Sequence, residues 1–268
     1  MERFVVILII LILAAACEER IEMDELPEGR EFFIVDAMLT NEKKPHYVIF
    51  SRSSSQMNQQ NTPVSGAIVS VYSGDSIIQF RESETKPGYY LSPPFIAYPG
   101  NIYNLNIFFE GINYFASARS IKVTAYEPMP AFIIQLDDTT YTMNTDYSSK
   151  EDAMWKIKLD WSHVPVNQPY DTIRTATLYF YTLHTIDVSQ VFSSDKEPVH
   201  FPGGTRVVLE KHALSTEHAA FIRTLLSETE WRGGLFDVTP ANIYTNMSEG
   251  SLGFFAVTTV LKDSLIVP

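Results

Sequence analysis

The 268-residue chain has a single cysteine, Cys17, so no intramolecular disulfide can form and stability must come from packing. Glycine is sparse, at 12 residues, and neither a Gly-X-Y nor a heptad period is present, which excludes collagen and coiled coil. Positive charge is also short. Lys and Arg number 20 against 32 Asp and Glu, a net charge of -12 that argues against nucleic acid and against anionic membrane surfaces as partners. Reaction motifs are missing too: there is no Gly-x-Ser-x-Gly, P-loop or dinucleotide fingerprint. What is abundant is aromatic and apolar mass, with 17 Phe, 14 Tyr and 3 Trp, enough for one large core or two modest ones.

The apolar run Phe4–Ala16 would make a helix of about 20 Å against about 30 Å of bilayer hydrocarbon, too short to span. Arg3 precedes it, and small residues followed by Cys17 close it. Leu11 to Glu19 thus resembles the lipobox of a bacterial lipoprotein signal peptide, which implies cleavage before Cys17 and lipidation of Cys17. Residues 1–16 are then the signal peptide. Removing them takes away one Glu and one Arg, so the mature charge stays at -12. Residues 17–29 follow as a tether, with six acids and one base between Glu18 and Glu28, too charged and too poor in apolar residues to pack. The acidic pair Glu18-Glu19 resembles the export signal that sends Bacteroidetes lipoproteins to the outer face of the outer membrane.

From Arg30 to about Tyr126 the chain reads as short strands at regular spacing. In Tyr103–Phe109 the residues Tyr103, Leu105, Ile107 and Phe109 share one face, and Asn104 and Asn106 the other. Further strands are expected at Phe32–Leu39, Tyr47–Phe50, Ala67–Tyr72, Ile77–Phe80, Gly88–Leu91 and Tyr114–Ala118. Ser73-Gly74-Asp75, Lys86-Pro87-Gly88, Pro99-Gly100-Asn101 and Glu110-Gly111 are turn sequences between them. This pattern predicts an immunoglobulin-like or transthyretin-like β-sandwich over 30–126. Ser51–Pro63, nearly devoid of apolar residues, is expected as a long exposed loop with a possible binding role.

Pro128 and Pro130 break ladders and helices and mark a domain junction. Residues 127–268 are expected to form a second β-rich domain, with strands at Ala131–Leu136, Met154–Trp161, Thr175–Leu183, Val207–Leu209 and Gly253–Leu261. A long polar connection is expected over Asp137–Asp152. One helix is predicted at about 216–231, with Ser215 as N-cap, Glu217 in its first turn and Phe221, Ile222, Leu225 and Leu226 on one face.

Pro240-Ala241-Asn242-Ile243-Tyr244-Thr245-Asn246, followed by Glu249-Gly250-Ser251-Leu252-Gly253-Phe254-Phe255, is similar to the C-terminal signature of the Bacteroidetes lipoproteins of domain-of-unknown-function family 4249. Pro63-Val64-Ser65-Gly66-Ala67-x-Val69-x-Val71, Gly88-Tyr89-Tyr90 and Pro99-Gly100-x-x-Tyr103-x-Leu105 fit that pattern as well. The resemblance implies a lipid-anchored outer-membrane protein, facing the cell surface and associated with a TonB-dependent outer-membrane barrel. It brings no ligand and no catalytic residue.

The histidines at 46, 163, 184, 200, 212 and 218 show no His-x-x-x-His or His-Glu-x-x-His spacing, so no metal ligand is assigned. The acidic pairs Asp137-Asp138 and Glu151-Asp152 are expected as solvated or capping groups. Alternation places Trp155 and Trp161 in a core, which leaves Trp231 as the candidate for stacking on a sugar. Asn246-Met247-Ser248 fits a glycosylation sequon but is expected as a turn. The expectation is therefore a non-enzyme without a cofactor. It accompanies the barrel by capturing substrate, a glycan or a peptide, or by gating the barrel mouth. The alternative is a structural subunit of a surface fimbria or adhesin, working by strand exchange.

Overall fold

The computed structural model describes residues 32–54, 59–125, 132–144, 151–165, 173–183, 198–229 and 242–268. The chain is mainly β. Eight strands and a short ninth form its largest sheet: β1 (Phe33–Thr40), β2 (Tyr47–Arg52), β3 (Thr62–Pro63), β4 (Ile68–Ser73), β5 (Ser76–Glu82), β6 (Tyr89–Leu91), β7 (Ile102–Phe109), β8 (Ile112–Arg119) and β15 (Ser251–Thr258). All the strands expected between 30 and 126 are present. They lie in one hydrogen-bonded path, β15-β1-β2-β6-β5-β4-β7-β8, with β3 on β2. The two ends of that path come back beside one another, so the sheet is a nearly closed barrel.

Alternation drives the closure. Val35, Ala37 and Leu39 of β1, Val48 and Phe50 of β2, Val69 and Val71 of β4, and Leu105 and Ile107 of β7 all point inward and are buried in one cluster. Phe50 stacks on Phe33 at 5.0 Å and meets Phe109 at 5.8 Å and Tyr114 at 5.9 Å, so aromatic rings fill one end of the barrel. The lumen is a packed core. The tight β7–β8 turn uses Glu110 and Gly111, both at positive φ (49° and 81°), as a two-residue hairpin of this hand requires.

The loop expected over Ser51–Pro63 is partly ordered by pairing: Ser51 and Arg52 of β2 face Pro63 and Thr62 of β3, while residues 55–58 lie outside the described set. β15, which the division at 126/127 assigns to the second part of the chain, pairs in parallel with β1 along the whole of that strand. A local reading of hydrophobic period does not reveal such a pairing, because the partners lie more than 200 residues apart.

The remaining strands form two sheets packed on a second core. One is β13 (His200–Pro202), β10 (Thr140–Met143) and β9 (Ile133–Gln135); the other is β12 (Thr175–Thr182), β11 (Ala153–Asp160), β14 (Arg206–Ala213) and β16 (Val260–Ile266). Trp155 is fully buried between them, stacked on Phe180 at 5.4 Å and 5.5 Å from Phe132. Two expectations need correction. The connection expected over Asp137–Asp152 contains β10, because Asp137 accepts hydrogen bonds from the backbone N–H groups of Thr139 and Thr140 and turns the chain straight into a new strand. The strand expected at Val207–Leu209 runs on to Ala213, because Glu210, Lys211 and His212 are buried and continue the ladder despite their polarity.

The helix α1 (Thr216–Thr229) begins as expected: the Ser215 hydroxyl accepts from the N–H of His218, and its carbonyl from the N–H of Ala219. Ala219, Ile222 and Leu226 pack on Met154 of the four-stranded sheet and on Leu214, just after β14, with Met38 of β1 alongside. Phe221 stacks on Phe254 of β15 at 4.8 Å. The helix is therefore wedged between the barrel and the second sheet system. No described helix is long and apolar enough to cross a membrane.

β15 and β16 are separated by Thr259 alone, so one extended segment serves both bodies. Thr258 donates to Ala213 O and Thr259 to Ile121 O, each at 2.6 Å, while the Asn41 side chain holds Val260 through both its N–H (2.7 Å) and its carbonyl (3.3 Å). Buried Lys211 adds a further tie. Its ammonium lies 5.1 Å from the Trp155 ring, donates to the carbonyl and hydroxyl of Thr124 at 3.1 Å and pairs with Glu151.

Gly253 permits the β1–β15 pairing. At φ +94° a Cβ there would sit 2.0 Å from the carbonyl oxygen of Val35, on a backbone that cannot move aside. Gly250 also has positive φ (+86°), but the nearest atom to its Cβ would be a tyrosine ring carbon at 3.6 Å. Gly253→Ala is expected to cost about 3 kcal/mol or more, and Gly250→Ala about 1 kcal/mol. Urea unfolding of the two variants checks the contrast, and equal midpoints would refute it.

Candidate functional site

The barrel closes through side chains. Between β8 and β15 the strands do not make a full ladder; residues 245–248 fill the gap. Ser248 N–H donates to Phe115 O (2.9 Å), and Phe115 N–H donates to the Ser248 hydroxyl (3.1 Å). The Asn246 amide copies a strand residue: its Oδ1 accepts from Phe255 N–H at 3.0 Å, and its Nδ2 donates to Phe255 O at 2.8 Å and Ser117 O at 3.4 Å. Thr245 hydroxyl donates to Gly253 O at 2.7 Å. The side chain of the sequon asparagine is thus a structural bond to two strands.

A cleft of about 530 Å³ opens on the outside of this seam, within the size range of small-molecule sites. Ile102 of β7 with Phe115 and Arg119 of β8 form one wall, Glu217 in the first turn of α1 another, and Tyr244 and Phe254 the rest. Phe115 is 61% exposed, Ile102 43% and Tyr244 38%, so three large apolar groups meet solvent at one place. The register explains the wall: Tyr114 and Ala116 turn into the barrel, so Phe115, Ser117 and Arg119 turn out. The Tyr244 backbone N–H is anchored on the Thr224 hydroxyl of α1 (3.0 Å). Phe254, buried behind the cleft, stacks on His218 at 5.0 Å as well as on Phe221.

Trp155 and Trp161 are core residues, as alternation predicted. Trp231, the sugar-stacking candidate, His184 and the lipidation residue Cys17 lie outside the described residues. His46 and His218 are buried, the latter inside the helix packing. No group of three or more His, Cys, Asp or Glu side chains that could hold a metal is present among the described residues. The densest charge cluster is on β14: Glu210 takes Lys158 and Lys262 at 3.0 Å each, with His212 at 3.9 Å. His212 and the two lysines hold its carboxyl far below the ordinary carboxylate range.

The cleft was not singled out from the sequence. Its signal was nevertheless present, since Phe115 is an aromatic residue on the solvent-facing phase of a clearly alternating strand.

The model of the family described as "Domain of unknown function (DUF4249)" matches residues 18–264. The chain belongs to the DUF4249 family. No curated protein matches it. The DUF4249 resemblance rested on residues that now have physical roles. Asn246 closes the seam, Gly253 admits β1, Phe255 enters the barrel core and Tyr244 lines the cleft.

The packing behind the cleft makes stability depend on pH. Burial pushes the His218 imidazole from 6.5 down to about 3, with a smaller push from His212. The folded state thus keeps His218 neutral, while the unfolded chain takes up its proton near 6.5. The stabilisation from His218 is complete above that pH and is lost as pH falls toward 3. Glu210, held low in the folded state, adds a second loss below its ordinary value of 4.5. Thermal unfolding is expected to show a midpoint that is flat above pH 7 and declines from pH 6.5 downward. Burial lowers His46 as well, so His218→Phe, which keeps the ring stack, should make the slope between pH 6.5 and 4.5 shallower without abolishing it, and an unchanged slope there would rule His218 out as a source.

Proposed function

We propose that this DUF4249 chain is a non-enzymatic, cell-surface-facing lipoprotein of the outer membrane, anchored through Cys17. It would serve as accessory to a TonB-dependent transporter, capturing substrate or gating the barrel mouth. The observation that carries the reading is the cleft: Phe115, Ile102 and Tyr244 are exposed together on a scaffold whose interior is packed, an arrangement suited to binding. The lipobox ending at Cys17 and the acidic tether after it support the address. An anchor in the plane of the membrane raises the effective concentration of the chain at a neighbouring barrel, so weak contacts suffice.

The alternative, a fimbrial or adhesin subunit, works by adding or exchanging a strand at an open groove. Here β1 is hydrogen-bonded to β15 on one side and β2 on the other, and residues 245–248 occupy the gap at the seam. Removing β1 would detach β15 from β2 and break the sheet. That cost favours the accessory reading.

Two measurements test the proposal. Cys17→Ala should move the chain from the membrane fraction to the soluble fraction; retention in the membrane would refute the anchor. With a C-terminal tag and gentle solubilisation, a TonB-dependent barrel should co-purify in proportion to the chain. Recovery of the chain alone refutes a stable barrel complex, and an SDS-resistant ladder of the chain moves the assignment to the fimbrial alternative.

A further inference from the structure

Arg119 and Glu217, a guanidinium and a carboxylate, both line the cleft, and neither has a hydrogen-bond or ion-pair partner among the described residues. Several other charges are paired: Lys211 with Glu151, Lys158 and Lys262 with Glu210, and Arg52 with Glu110. The same cleft presents apolar surface from Phe115, Ile102 and Tyr244. A ligand that covers this surface takes water from both ions. A neutral ligand leaves them uncompensated and pays desolvation twice, whereas a ligand carrying one charge of each sign compensates both.

The backbone limits the choice further. At Phe115 both N–H and C=O are already bonded to Ser248, and Ser117 O accepts from Asn246. A partner strand therefore finds no free ladder at this point of β8, and recognition falls to side chains.

We infer that the cleft binds a zwitterionic ligand with an apolar side chain, the chemistry shared by short peptides and hydrophobic amino acids. The ligand carboxylate is taken by Arg119, its ammonium by Glu217 and its apolar group by Phe115, Tyr244 and Ile102. This names the substrate class for the capture role proposed above and rests on that reading for its biological use, but binding itself needs no barrel.

The test is calorimetric titration of the full lipidated chain in nanodiscs with leucyl-leucine, with leucine, with N-acetyl-leucyl-leucine amide and with maltose. Leucyl-leucine or leucine should bind, the tighter of the two identifying peptide or amino acid as the source. The doubly blocked dipeptide should bind at least about tenfold more weakly, the loss expected for one charge-assisted contact or more. Arg119→Gln and Glu217→Gln should each weaken binding about tenfold; both positions are at the surface, so the fold is kept, with only the small loss of a first-turn acid for Glu217→Gln. The inference is overturned if the blocked dipeptide binds as well as the free one, if maltose binds and neither zwitterion does, if no probe binds at millimolar concentration, or if both substitutions leave the affinity unchanged. Loss of binding while the barrel still co-purifies would strike the ligand class alone. Zwitterion binding by a chain with which no barrel co-purifies would strike the transport reading alone.

Discussion

A sheet that curls almost onto itself still has two edges whose N–H and C=O groups need partners, and the rest of this structure depends on how those edges are met. Closing β8 directly against β15 would require the two strands to run in register along their length. Instead Asn246 and Ser248 lend side-chain atoms to the ladder. The primary amide of asparagine has one acceptor and two donor hydrogens in a plane, which lets a single side chain imitate the peptide group it replaces. The price of this solution is local: β15 must approach β1 so closely that position 253 has no room for a Cβ.

The same segment then governs the relation between the two bodies. Since β15 leads into β16 across one residue, the barrel and the four-stranded sheet share a continuous extended backbone. The crossing point is held by Thr258, Thr259 and Asn41, each making a hydrogen bond to a distant element. Lys211 fastens the chain leaving β8 to the face of Trp155, and α1 fills the wedge with Phe221 against Phe254. The cleft inherits this rigidity because its walls come from β7, β8, α1 and Tyr244 and Asn246, which are tied to these elements by hydrogen bonds. Backbone held this way loses little entropy on binding.

Much of the fold is legible from the sequence because it follows period. Every strand expected between 30 and 126 is found, the helix begins at its Ser215 cap, and Trp155 and Trp161 are buried. The parts that escape are those set by distant partners. Nothing local in residues 251–258 says that they lie parallel to residues 33–40. The length of β14 is hidden by Glu210, Lys211 and His212; the charges of the first two are compensated only in the fold, by Lys158 and Lys262 and by Thr124 and Glu151. β10 is hidden by the acidic turn at Asp137 that starts it. The cleft lies between these cases: Phe115 was visible as an aromatic residue on the wrong phase of its strand, but its neighbours Glu217 and Tyr244 come from far along the chain.

That division bears on where function can reside. In a barrel filled with side chains, each inward position is committed to the core, and a change there acts through stability. Asn246 and Gly253 are committed equally, to closure. Ile102, Phe115 and Arg119 are not: they share strands with Tyr103, Tyr114 and Ala116 yet point the other way, so the pleat separates what holds the barrel from what meets a ligand. Substituting the outward set alters the shape, charge and apolarity of the cleft at little cost to the fold.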